Sequence, residues 1–214
     1  MGKLMEKLYD NIDDAKAFLL SFTNFIYMYD SEFWGDYYTP LCDECDKMTQ
    51  SRDFFFPKAN CQKPTGILHT FDFGVSPELR DDLIARFDVT EADFRPIRTK
   101  KGEIVYYQIT PQHVMLPIHR ENGWQISKVC PKCGSIRYDQ PRYYNSKNEP
   151  FYLISQAVLD DMHDFNVTYE RFFRDRPIVI ISRRVYDYLT ECYPRTHYFP
   201  MFLDTQIPPY VKRK

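Results

Sequence analysis

Apolar side chains recur at helical spacing over residues 12–29 (IDDAKAFLLSFTNFIYMY), and the acidic start of this run predicts a helix. Residues 31–65 keep no period; they are aromatic, turn-rich and contain Cys42, Cys45 and Cys61. Beyond them the pattern becomes regular. Residues 94–98 and 103–109 read as strands joined by a turn over 100–102, and 114–118 is a third short candidate. Residues 135–149 are polar and read as loop, whereas 151–154 and 178–181 read as apolar strands.

One spelling occurs three times: VSPELRDDL at 75–83, ISQAVLDDM at 154–162 and ISRRVYDYL at 181–189. Each reads as a strand end, a Ser N-cap at Ser76, Ser155 or Ser182, and an amphipathic turn. The pairs Leu79/Leu83, Val158/Met162 and Val185/Leu189 form the i, i+4 apolar stripe. Pro77 suits the first helical position of its copy. Two copies lead into aromatic–proline strands, at 94–97 and 199–201. The same spelling arises by convergence wherever a capped amphipathic helix follows a strand.

The 214 residues suffice for one domain with its own core or two small halves, and 28 basic against 30 acidic side chains give no general attraction to nucleic acid or anionic membrane. Charge is uneven, however. Residues 1–50 hold four Lys against ten Asp and Glu, and the rest holds 24 basic against 20 acidic groups. An acidic amino-terminal face can steer a basic partner, although a solvated surface is the commoner meaning. No export signal or membrane-spanning run is legible, so the expected location is cytoplasmic and the cysteines are expected as reduced thiols or metal ligands.

Only seven glycines occur, none closer than eight positions to the next, which excludes the clustered glycines of phosphate-cradling loops. G-x-S-x-G and H-E-x-x-H are absent as well. Asp160 and His163 fall one helical turn apart, the spacing of an acid–base or metal pair but equally of an exposed helix edge. Cys192 and His197 are separated by Pro194, and nothing nearby orients them as nucleophile and base. Residues 168–186 carry five Arg among aromatics, a pattern that can grip phosphates; the apolar strand inside it separates Arg171, Arg174 and Arg176 from Arg183 and Arg184. Nucleic acid is not the expected partner.

The strongest chemical signal is C-x-x-C written twice, at Cys42–Cys45 and Cys130–Cys133. A two-residue spacer lets both thiolates face one ion while backbone N–H groups turn towards the sulfurs, and four such sulfurs complete a closed tetrahedral zinc site. Pro131 stiffens the second knuckle and Gly134 permits the positive φ of its turn; Asp46 stands in the matching place of the first. The 84 residues between the pairs must contain folded structure. Cys61 can substitute as a ligand, and Cys192 is expected to pack under its helix.

The order C-x-x-C, Ser-capped unit, Cys130-Pro131-Lys132-Cys133-Gly134, closing I-S-x-x-[LV] helix and Phe-Pro strand resembles the bacterial double-CXXCG motif family over roughly residues 37–203. Only 130–134 matches its motif in full. That resemblance implies an immunity protein that binds and silences a cognate toxin, without enzymatic activity and stabilised by zinc. The expected architecture is α+β: a helical amino-terminal segment (1–36) and two related halves (37–127 and 128–214), each contributing one knuckle to a shared zinc-ribbon-like site of four cysteines. The alternatives are a zinc-ribbon nucleic-acid-binding or regulatory protein and an enzyme of unassigned chemistry.

Overall fold

The computed structural model describes residues 4–20, 38–45, 47–50, 53, 55–56, 68–69, 73–99, 101–139, 143–172, 177–193, 197–206 and 212–213. In chain order the strands begin with β1 (Ala17–Leu20), β2 (Tyr38–Pro40), β3 (Met48–Gln50), β4 (Phe55–Phe56), β5 (Leu68–His69), β6 (Phe73–Val75), β7 (Phe94–Thr99) and β8 (Ile104–Ile109). They continue with β9 (Ile126–Val129), β10 (Ile136–Tyr138), β11 (Tyr143–Tyr144), β12 (Pro150–Ile154), β13 (Phe165–Val167), β14 (Val179–Ser182), β15 (Tyr198–Leu203) and β16 (Lys212–Arg213). Four α-helices accompany them among the described residues: α1 (Leu4–Leu8), α2 (Pro77–Arg86), α3 (Gln156–Asp161) and α4 (Arg183–Cys192). The fold is mixed, mostly sheet.

A seven-stranded sheet in the order β13-β14-β1-β15-β12-β11-β16 forms the body, and a five-stranded sheet, β4-β7-β8-β6-β5, lies beside it. β1 corrects an expectation: residues 17–20, placed by periodicity inside a helix over 12–29, are a strand, preceded by a single 3-10 turn at Ile12–Asp14. The rest of that predicted helix, 21–29, lies outside the described residues. β1 runs antiparallel to both neighbours, with Phe18 opposite Ile181 of β14 and Pro200 of β15.

Alternation in β1 sends its side chains into two separate cores. Phe18 and Leu20 join Met5, Leu79, Leu83, Phe94, Val185, Leu189 and Tyr198, beneath α2 and α4. Ala17 and Leu19 join Met115, Ile118, Trp124, Tyr138, Tyr152, Val158 and Met201 on the opposite face. A strand buried on both faces is apolar at every position, so its period of two is invisible in the sequence.

All three Ser-led units form as expected locally. Ser76 and Ser182 accept the backbone N–H of Leu79 and Val185 at 3.2 and 3.4 Å, and Ser155 stands at the same place without a side-chain cap bond. Leu79, Leu83, Val158, Val185 and Leu189 are buried, and Asp81, Asp160 and Asp187 are exposed. Their settings differ: α2 follows β6 of the five-stranded sheet, whereas α3 and α4 follow β12 and β14 of the seven-stranded one. The arrangement does not show two related halves.

The β7–β8 hairpin forms as expected, with Gly102 in its turn at φ 87°. The strand expected at 114–118 is only a single bridge from Val114 to Val167. The loop expected over 135–149 contains β10 and β11. No helix among the described residues is long and apolar enough to cross a membrane.

Candidate metal centre

Two short hairpins carry the knuckles. In the first, β2 pairs with β3 and the Leu41 N–H donates to the Lys47 carbonyl at 2.9 Å, closing a turn around Cys42 and Cys45. In the second, Val129 of β9 opposes Ile136 of β10. The Cys130 N–H donates to the Ser135 carbonyl at 2.9 Å, and the Gly134 N–H to the Cys130 carbonyl at 3.0 Å. Gly134 has φ 69°, and a Cβ placed there would meet nothing within 4 Å, so it is backbone conformation and not crowding that calls for glycine. Asp46, the corresponding residue of the first knuckle, lies outside the described residues, as does Cys61.

The hairpins bring Cys42, Cys45, Cys130 and Cys133 together, with all four sulfurs within 4.8 Å of one another. Cys42 Sγ lies 3.7 Å from Cys130 Sγ, and Cys45 Sγ lies 3.7 Å from Cys133 Sγ. Sulfurs bonded at about 2.3 Å to a tetrahedral ion stand about 3.8 Å apart, so the spacing fits a four-thiolate site. All four cysteines are free thiols.

The electrostatics also favour ligation. The Cys133 backbone N–H points at the Cys130 sulfur; with the Lys132 N–H and the thiols of Cys133 and Cys42 it outweighs burial and brings Cys130 down to about 6. At Cys45 the Lys47 N–H acts in the same sense. There desolvation and the neighbouring sulfurs prevail, pushing the thiol up to about 12. Cys130 therefore ionises before Cys45, as expected when negative charges crowd without a cation. Lys47, Lys128 and Arg137 line a hollow beside Cys45 and Cys130.

Further contacts fix the module. Lys132 and Asp43 sit in the spacers of opposite knuckles, and Lys132 Nζ reaches Asp43 Oδ2 at 2.7 Å. At the foot of the second hairpin, Tyr138 enters the core beside Trp124, and its ring faces that of His119 at 5.2 Å. His119 is held by Glu170, a fully buried carboxylate whose Oε1 accepts the N–H groups of Ile118 and His119 at 2.8 and 2.7 Å and lies 2.9 Å from His119 Nδ1. No sequence signal marked Glu170.

The other candidates are dispersed. Asp160 accepts from Gln156 at 2.7 Å, while His163, beyond the end of α3, stacks on His113 at 4.0 Å and lies 3.5 Å from Asp88. Cys192 is exposed at the last position of α4 and does not pack beneath it, because the apolar stripe ends at Leu189. His197 lies 3.8 Å from Glu149, and burial holds it below its ordinary value against the pull of that carboxylate. Arg183 bonds Asp187 at 2.9 Å and the carbonyls of Ile12 and Asp13, and Arg184 reaches the Arg86 carbonyl at 3.3 Å. Both tie α4 to neighbouring segments. Arg174 and Arg176 lie outside the described residues. Asp13 and Asp10 of the acidic segment engage Arg183 and Lys147.

No protein-family model, curated protein or solved structure matches this chain.

Proposed function

We propose that Cys42, Cys45, Cys130 and Cys133 hold one structural zinc ion, and that the protein is a non-enzymatic immunity protein that binds and neutralises a cognate bacterial toxin in the cytoplasm. The observation that carries the metal is the convergence of four free thiols at 3.7 Å across two knuckles. A closed set of four sulfurs suits zinc and disfavours hard cations, which prefer oxygen. Elemental analysis of the purified protein should find one zinc per chain, and a metal-free or iron-loaded chain would refute the assignment.

The binding role draws on the resemblance to the double-CXXCG family and on the surface of the metal module. Eight large apolar side chains are exposed among the described residues, and four of them, Leu41, Ile126, Val129 and Ile136, belong to the two small hairpins. Such concentration marks an interaction surface more than ordinary apolar exposure. Co-expression with the toxin encoded beside the gene decides the role: cells should survive, and a folded, abundant protein that fails to rescue them would exclude it. The basic hollow of Lys47, Lys128 and Arg137 favours a second reading, a nucleic-acid-binding zinc ribbon. Retention of single-stranded nucleic acid at moderate salt, lost in Lys128→Glu, would favour that reading over the first.

A further inference from the structure

The four sulfurs differ in their access to solvent. Cys42 and Cys130 are buried, Cys45 is half-buried and Cys133 is exposed. Each knuckle therefore contributes one shielded and one reachable sulfur. The 3.7 Å approaches join like with like across the knuckles, inner Cys42 to inner Cys130 and outer Cys45 to outer Cys133.

Resting on the metal assignment above, we infer that Cys45 and Cys133 are an oxidation site, at which hydrogen peroxide converts the outer pair into a disulfide bridging the two knuckles while Cys42 and Cys130 stay reduced. Susceptibility follows thiolate character and exposure, and ligation would supply the first while the fold supplies the second. The Cys133 thiolate attacks one peroxide oxygen; the O–O bond breaks, hydroxide leaves, and Cys133 becomes a sulfenic acid. The Cys45 thiolate then attacks that sulfur, forming the S–S bond and expelling a second hydroxide. Two solvent protons convert both hydroxides to water, so the cysteines lose two electrons and the peroxide gains them.

The position of the new bond decides its effect. A bridge within one knuckle would free the hairpins from each other, whereas a bridge from 45 to 133 keeps them joined after half the metal donors are lost. The Lys132–Asp43 pair spans the same gap and holds the outer edges in register.

The test uses the full chain with Cys61→Ser and Cys192→Ser, loaded with zinc under reducing conditions, desalted and exposed to hydrogen peroxide. A chromogenic chelator reports released metal, and peptide mass spectrometry without reduction reports the bridges. Loss of the zinc with a Cys45–Cys133 peptide as the dominant product is expected. Dominant Cys42–Cys45 or Cys130–Cys133 bridges would overturn the inference, as would retained metal and free thiols at peroxide levels that oxidise glutathione. A chain without zinc before peroxide is added refutes the metal assignment instead, and mapping bridges in that metal-free chain still decides between cross-knuckle and within-knuckle pairing.

Discussion

All four side chains of β1 are buried, and all four of β9 are exposed. Both strands lie in antiparallel pairings of short length, yet they belong to regions held by different forces. β1 is fixed between β14 and β15 by apolar contact on both faces, with Phe18 stacked on Tyr186 at 3.6 Å. β9 has only β10 beside it among the described residues, and a lone two-stranded hairpin is marginal in water. The hairpin of β9 meets the hairpin of β2 at the sulfur cluster and at the Lys132–Asp43 pair, and it meets the body at Tyr138, whose N–H donates to the Arg171 carbonyl. A region that buries apolar area can do without a metal; one that exposes it depends on a link of another kind.

Metal removal should widen this contrast most. After chelation of a zinc-loaded chain, hydrogen exchange should accelerate sharply in 38–50 and 126–138 while the amides of β1, β12, β14 and β15 keep their protection. Structural zinc in small fingers is worth on the order of 10–16 kcal/mol, enough to order a hairpin with no core. Global unfolding on chelation would erase the distinction between the regions. Leu83→Ala should act in the opposite region: Leu83 is fully buried, so the loss is about 3 kcal/mol in denaturant unfolding, with zinc content unchanged. Loss of metal in that variant would show that the module relies on the body's core.

Smaller effects sharpen the comparison inside the body. Ser76→Ala and Ser182→Ala should each cost about 1 kcal/mol, and Ser155→Ala less, because only the first two hydroxyls accept a cap bond. Equal losses at all three would mean that the hydroxyl bonds do not set the cost. His197 gives the smallest effect. Burial, opposed by Glu149, holds its folded value below the ordinary 6.5, so the unfolded chain takes up a proton first as pH falls. Stability is therefore full above about pH 6.5 and declines below it until the folded state is protonated too. In His197→Gln this portion of the acid slope should disappear, and an unchanged slope would assign it to other groups.

The sequence was most legible where a local rule stood alone. The two C-x-x-C spacings, the caps at Ser76 and Ser182, and the hairpin around Gly102 are each settled within a few residues. It was least legible where tertiary setting overrides local pattern. AFLL at 17–20 is uniformly apolar because both sheet faces cover it, and such a run also suits a helix. Residues 136–138 and 143–144 hid as strands inside polar sequence because most of their side chains are exposed or half-buried, Tyr138 excepted. Asp43 and Lys132 were visible as charges, but only the folded hairpins show that they meet. Glu170 looked like any surface carboxylate, although two backbone N–H groups and the His119 ring hold it in the interior.

The central place of β1 also sets the order of events during synthesis. Ala17 through Leu20 leave the ribosome before their partners at 180–182 and 198–201, which are made roughly 160 or more residues later. At translation rates of about 5–20 residues per second, that strand waits on the order of ten to thirty seconds with its apolar side chains uncovered. Until then β1 has neither of its two sheet neighbours, so the body closes last along its middle. A nascent chain stalled before residue 180 would present this strand, unpaired, to holdase chaperones or to other copies of itself.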